Sequence, residues 1–291
     1  MGQQFLNGVF VGSIYALFAV GYTLVFGVLD ILNLAHAAVF MLAAFAALGL
    51  VEAHVPLWAA MPLAVLIAGI IGIILERIAF RPLRGRADSN IAGLISSLAM
   101  ATVFESIALQ LWGPDISRFP HGAFPNKIIR VGGATASLLQ LCIIGLAVIL
   151  MWLLHILIRQ SRLGRQIRAV AESPHAARIL GVNVDRVIAT TFFISSALGG
   201  AAGVLFGLAF NSISPDVGRS VELKGLAVII FGGMGSVTGA VTAGFALGLL
   251  EVIVVSQIGS SFRDAVAFGV LFLMLLVRPR GLFGQAAARE A

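Results

Sequence analysis

The sequence predicts an all-α fold, a polytopic transmembrane helical bundle of about eight spans plus a broken or re-entrant half-helix. Three observations predict it. Of the 291 residues, 59% are hydrophobic and 11% charged, and the mean hydropathy of +1.04 lies far outside the range of soluble domains. The apolar residues fall into blocks of spanning length, on the order of 20 residues. The net charge of +6 gathers in short connections between those blocks rather than on one polar face, so it reads as a topology signal and not as a nucleic-acid surface.

The blocks run Phe5–Leu29, Ala38–Val51, Leu57–Phe80, Ile91–Trp112, Ser137–Ile158 and Val187–Ile213. A broken pair then covers Gly225–Phe231 and Val237–Gln257, and a last span covers Ala265–Val277. The first block lacks a basic n-region and runs the length of a full span, so it reads as a retained helix rather than a cleaved signal. The second is short and follows Asp30-Ile-Leu-Asn33-Leu-Ala-His36, a polar run expected as an unwound lead-in at a membrane face or partly within the membrane. Residues 1–291 read as a single membrane domain.

Basic residues orient the spans. Arg77, Arg81, Arg84 and Arg86 crowd one connection, and Arg159, Arg162, Arg165, Arg168, Arg178 and Arg186 crowd another, which places both in the cytoplasm. The connection 113–136, with Arg118, Lys127 and Arg130 spread among Pro114, Pro120 and Pro125, is then external. Stepping along the spans puts the N-terminus outside and the C-terminus, with Arg278 and Arg280, inside, provided that the broken pair enters and leaves on the external side.

The cytoplasmic stretch 159–186 is the one long polar segment. Leu163, Ile167 and Val170 fall on one arc and Arg162, Arg165, Arg168 and Glu172 on the other, so Arg162–Ala171 reads as an amphipathic helix. A second helix is framed by Ser173 as N-cap, Pro174 at the first position and Gly181 at C′, enclosing His175 to Leu180. Two turns are too short to be stable alone, so the side bearing Ala176, Ala177, Ile179 and Leu180 needs a partner surface, with His175 and Arg178 opposite. That surface is either a cytoplasmic protein or the headgroups of membrane lipid.

Small residues recur at helical spacing at Gly8 with Gly12, at Gly199 with Gly203 and Gly207, and at Gly244 with Gly248, the pattern that lets membrane helices approach closely. Cys142 is the single cysteine, inside an apolar block, which excludes an intrachain disulfide and predicts inert packing.

No catalytic constellation is readable. The chain has no phosphate-binding G-x-x-x-x-G-K-[ST], and its glycine-rich run, Gly232-Gly-Met-Gly-Ser-Val-Thr-Gly239, lacks lysine. Gly233, Gly235 and Ser236 in that run form either a turn at the membrane face or an opened segment in a translocation pathway. The histidines His36, His54, His121, His155 and His175 are dispersed, so no metal site is expected. Glu105 and Glu251 stand inside apolar blocks and are functional candidates by their cost, Glu105 as a hydrogen-bonded structural group or as a pathway contact. Glu222 and Lys224 flank the half-helix and could pair with each other.

Five stretches together resemble one family across nearly the whole chain: GSIYALFAVGYTLVFGVLDILNLAHAAVFMLAAF, ERIAFRPLR, SRLGRQIRAVAESPHAARILGVNVDRVIATTF, GGMGSVTGA and RPRGLFG. They are similar to the permease subunits of ABC importers for branched-chain amino acids. The resemblance implies a bacterial inner-membrane protein that pairs with a second, homologous permease subunit. It also implies two cytoplasmic ATPase subunits, reached through Ser173–Gly181, and a periplasmic solute-binding protein. The chain itself would then bind no cofactor, ATP and magnesium belonging to the ATPases. Asn33 and His36 match the family's Asn-x-Ala-His, as a polar gate or a helix cap, whereas Ala37-Ala38 and Val237-Thr238 depart from its usual residues. Amides, urea-like molecules and aromatic acids are alternative solutes. An ion-coupled secondary transporter built on Glu105 and Glu251 would need no docking helix, and an intramembrane enzyme would need a catalytic cluster.

Overall fold

A computed structural model describes residues 2–84, 88–120, 124, 127–131 and 134–284. The topology signal Arg86, with His121 and Pro125, lies outside them, as does the side chain of Arg130.

The apolar blocks become helices: α1 (Gly2–Leu29), α2 (His36–Glu52), α3 (Leu57–Leu75), α4 (Ser89–Trp112), α5 (Leu138–Gln160), α6 (Arg162–Glu172), α7 (Pro174–Ile179), α8 (Val184–Phe210), α9 (Val217–Gly232), α10 (Val237–Gln257) and α11 (Arg263–Val277). A π turn at Glu76–Phe80 and a 3-10 turn at Arg81–Leu83 prolong α3. Among the described residues, seven helical segments are long and apolar enough to cross a membrane, while α2 is a shorter apolar helix of 17 residues. The expected count of about eight therefore stands. Helix α9 has 16 residues and begins at Val217, eight residues before the expected start, because its charged first turns read as a connection.

Helix α1 is apolar all round and buried from Phe10 to Val25, which makes it the axis of the bundle. It runs antiparallel to α10 along a glycine seam: Gly12 faces Phe245, Gly244 faces Ala16, and Gly248 faces Gly12. Gly199, Gly203 and Gly207 of α8 take the ring of His36, the backbone of Phe40 and the side chains of Ile213 and Phe119. The three small-residue patterns thus mark close contacts, between helices everywhere except at Gly207, which meets the connections that hold Ile213 and Phe119. Helices α3, α4, α5 and α11 carry outward apolar faces, with Ile70, Ile95, Trp152 and Phe272 among the exposed residues. Cys142 is exposed on α5, contrary to the expected packing, because α5 buries only a narrow stripe containing Ile143, Ala147, Met151 and Leu154.

Two helices start inside the bundle. After α1 the chain turns back, and the Leu34 amide donates to Ser97 Oγ at 3.1 Å, eight residues and about 12 Å into α4. The polar lead-in to α2 is therefore partly within the span. Similarly, the chain folds back after Phe210: Ile213 pairs with Ser117, and Gly218 packs on the Ala37 carbonyl near the start of α2.

One end of the bundle carries α6, α7, the turn between α9 and α10, and residues 278–284, whose Leu282 and Phe283 amides donate to the Phe231 and Gly232 carbonyls at 2.9 Å each. Arg81 and Arg84 bind Asp185 at 3.5 and 3.0 Å there, and Arg84 also pairs with Glu76, so both arginine-rich connections share this end. The opposite end carries the start of α1 and an antiparallel hairpin of β1 (Ile128–Val131) and β2 (Ala134–Ser137), where Gln3 accepts from the Thr135 amide at 2.9 Å. The hairpin was not among the expected elements, although two short runs flanking Gly132-Gly133 are a signal for it.

Candidate functional site

The stretch 159–186 folds as its residues predict. Ser161 Oγ caps α6 by accepting from the Gly164 amide at 2.9 Å, and Ser173 Oγ caps α7 by accepting from the Ala176 amide at 3.2 Å. Pro174 opens α7, and Gly181 follows it with φ of 81°, the left-handed conformation of a C′ glycine. Ile167 and Val170 hold α6 on the bundle with its arginines outward, and Gly164 fits against the Leu157 and Ile158 carbonyls, a contact the apolar pattern missed. Helix α7 is attached differently. Ala177 is its one buried residue, while His175, Arg178, Ile179 and Leu180 face outward, the last two with 74% and 79% exposure.

The predicted pathway residues do not converge. Asn33 and His36 are buried; neither side-chain polar atom of Asn33 has a protein partner, and the His36 ring nitrogens have only the Phe18 backbone beside them, without a well-aligned hydrogen bond. His36 opens α2 in an aromatic box, its ring centre 4.9 Å from Phe18 and 5.4 Å from Tyr22. No side chain caps α2, so the capping role expected of the Asn33 and His36 side chains is not seen; the Asn33 backbone carbonyl accepts from the His36 amide at 3.1 Å instead. Tyr22, Thr23 and Ser196 add further unpartnered buried oxygens. Gly233 and Gly235, with φ of 102° and 82°, make the turn from α9 to α10, and Ser236 Oγ caps α10 by accepting from the Gly239 amide at 3.1 Å. Gly235 and Ser236 line a cleft of ≈ 450 Å³ with Gly27 of α1 and Arg159, Ile167 and Glu172 of the arginine-rich stretch. The glycine run is thus a turn at the bundle end, next to α6.

Glu105 faces α9, where Arg219 grips it with two bonds, Nε to Oε1 at 3.2 Å and Nη2 to Oε2 at 2.7 Å. Sequence reasoning missed Arg219, whose position in a helix appears only once α9 is seen to start early. Lys224 does not pair with Glu222. Two positions apart on a helix, their side chains diverge: Lys224 reaches Glu251 at 3.5 Å and Asp264 at 3.3 Å, while Glu222 Oε1 is buried without a partner. Glu251 also accepts from Tyr15 and, at 3.0 Å, pairs with Arg263. No cluster of metal-ligating side chains occurs among the described residues.

The arrangement is that of a membrane protein with an outward-facing two-turn helix at one end and a polar, incompletely paired middle. The sequence matches the family model described as "Branched-chain amino acid transport system / permease component" over residues 4–276. It is 34% identical to the high-affinity branched-chain amino acid transport system permease protein BraD of Pseudomonas aeruginosa, over 97% of this chain and 95% of the relative. Identity is also 34% to LivH of Escherichia coli over 97% and 95%, and 27% to LivM of Escherichia coli over 92% of this chain and 67% of the relative, both named as permease proteins of the same kind of system. The chain belongs to the family of branched-chain amino acid transport permeases.

Proposed function

We propose that this chain is the translocation subunit of an ATP-driven importer that brings branched-chain amino acids into the cytoplasm, with the end that carries α6 and α7 on the cytoplasmic side. The observation that carries the coupling part of this reading is α7: a capped two-turn helix, fixed through Ala177, that holds Ile179 and Leu180 out where an ATPase subunit can cover them. Arg178 adds a fork for an acidic rim on that partner. ATP and magnesium would bind the two ATPase subunits, a second permease would complete the pathway, and a periplasmic binding protein would deliver the solute at the hairpin end. The names of the relatives support the solute class, and the match to both LivH and LivM supports a pair of similar permeases. An ion-coupled mechanism would have no use for α7.

The test is to reconstitute the complex with its partners in liposomes and follow leucine, isoleucine and valine uptake beside ATP hydrolysis. Ile179→Ser/Leu180→Ser should leave the fold intact and abolish coupled uptake, because each apolar side chain is worth about 1.5–3 kcal/mol when buried in a partner groove. Wild-type uptake and ATPase stimulation in this variant would reduce α7 to a lipid-surface anchor.

A further inference from the structure

We propose that Arg219, Glu105 and Glu222 form a station for the charged groups of a free amino acid in transit, on the face of α4 and α9 that meets the second permease subunit. This rests on the reading above that the cargo is an amino acid.

The depth of the pair is the first observation. Glu105 lies seven residues before Trp112, so about 10 Å inside the end of α4. Gly203 of α8 meets Phe40 and is itself seven residues, about 10 Å, from the end of α8; Gly218, beside Arg219, packs deeper still, on Ala37. The ion pair therefore sits within the membrane-spanning zone.

The second observation is exposure. The Arg219 side chain is 70% exposed and that of Glu105 18% exposed. Charged groups at this depth do not face hydrocarbon; they line a protein interface or an aqueous path. The third is an available acceptor, since Glu222, one turn beyond Arg219 on α9, has a buried oxygen that no protein group satisfies. Exposed Leu109 and Leu223 stand one turn from Glu105 and Arg219 on the same helix faces, apolar surface for an aliphatic side chain. The exposed hydroxyls nearby spend their protons on backbone carbonyls, Thr102 on Leu98 and Ser106 on Thr102, so they can only accept.

A zwitterion fits these groups by exchange. Its carboxylate replaces Glu105 on the guanidinium fork, which matches two oxygens at once, and its ammonium takes the released Glu105 together with Glu222. The zwitterion brings no net charge, so its arrival leaves the charge balance among Arg219, Glu105 and Glu222 unchanged while giving Glu222 a partner.

The test uses the full complex in liposomes with its binding protein and ATPases, and labelled leucine as the probe. Arg219→Gln, Glu105→Gln and Glu222→Gln should each lower uptake by about tenfold, the loss expected of a charge-assisted hydrogen bond, with ATPase stimulation by the binding protein retained. Glu222→Gln removes no hydrogen bond present in the structure, so it answers the question even if the other two fail to fold. The exchange Arg219→Glu/Glu105→Arg re-forms the pair but sets a carboxylate one turn from Glu222, and it should not restore uptake. Recovery in the exchanged variant would make the pair a structural clasp and overturn the station, as would wild-type uptake in Glu222→Gln. Wild-type liposomes that take up no branched-chain amino acid would instead overturn the parent reading, and the station with it.

Discussion

The Tyr15 hydroxyl donates to Glu251 across the α1–α10 contact, at 2.9 Å from Oε2 and 3.2 Å from Oε1. Lys224 Nζ lies 3.1 Å from the same hydroxyl, so one buried carboxylate ties α1 and α9 to α10, and through Arg263 to α11. Glu251→Ala leaves Lys224 buried with one fewer anion and should cost about 3–5 kcal/mol, whereas Tyr15→Phe removes a hydrogen bond to a charge and should cost about 1.5–3 kcal/mol. Thermal unfolding in detergent, with the double variant closing a cycle, checks both. Equal stability of Glu251→Ala and wild type would remove the network from the account of how α9 is held.

Gly203→Ala should destabilise by about 1–3 kcal/mol, because the added Cβ meets the Phe40 carbonyl group and two backbones must part. Gly49→Ala in α2 is the matched control: no neighbouring atom lies within 4 Å of its Cβ. Helix propensity there favours alanine by about 0.8–1.0 kcal/mol. Opposite signs of the two shifts in the same assay are the expected result.

Gly181→Val forces a β-branched residue into φ of 81° and should cost about 1–2 kcal/mol at the end of α7. Ser173→Ala removes the cap at the other end, at about 1 kcal/mol. Since α7 has six residues, either change should appear as lost coupling between ATP hydrolysis and uptake rather than as lower overall stability. Proteolysis of the 173–181 segment, compared with binding of the ATPase subunits, separates local melting from global unfolding.

Topology is checked by single cysteines in a Cys142→Ala background, which is needed because the native thiol is exposed. A cysteine in place of Ser173 should react with an impermeant maleimide only from the cytoplasm, and one in place of Lys127 only from outside. Labelling of both from one side would contradict the opposite placement of α7 and the hairpin.

Much of the fold was legible because hydrophobic blocks, caps and small-residue spacing are local signals. Ser173, Pro174 and Gly181 each carry their role in their own chemistry, and so do Gly199, Gly203 and Gly207. What could not be read is phase between distant segments. Nothing in the neighbourhood of Lys224 in sequence announces Tyr15, Glu251 or Asp264, and pairing it with Glu222 was the natural guess from proximity along the chain. Arg219 was hidden for a related reason: a membrane helix that starts at mid-depth begins with polar residues, which hydropathy assigns to the loop before it. Glu105 was recognisable as costly, but its partner was not.

The glycine seam between α1 and α10 also bears on which parts of the permease can move. Gly12, Gly244 and Gly248 bring two backbones together with hardly a side chain between them, so the contact has few rotamers to rearrange and no second packed arrangement short of slipping by a turn. Such a joint behaves as a stator. Helix α4 meets α9 through the long side chains of Glu105 and Arg219, which have alternative partners within reach, so α4 can act as the rotor while Lys224 and Gly225 keep α9 on α1 and α10. The cycle of opening and closing should then be sought as motion of α4 against a fixed frame of α1, α9 and α10.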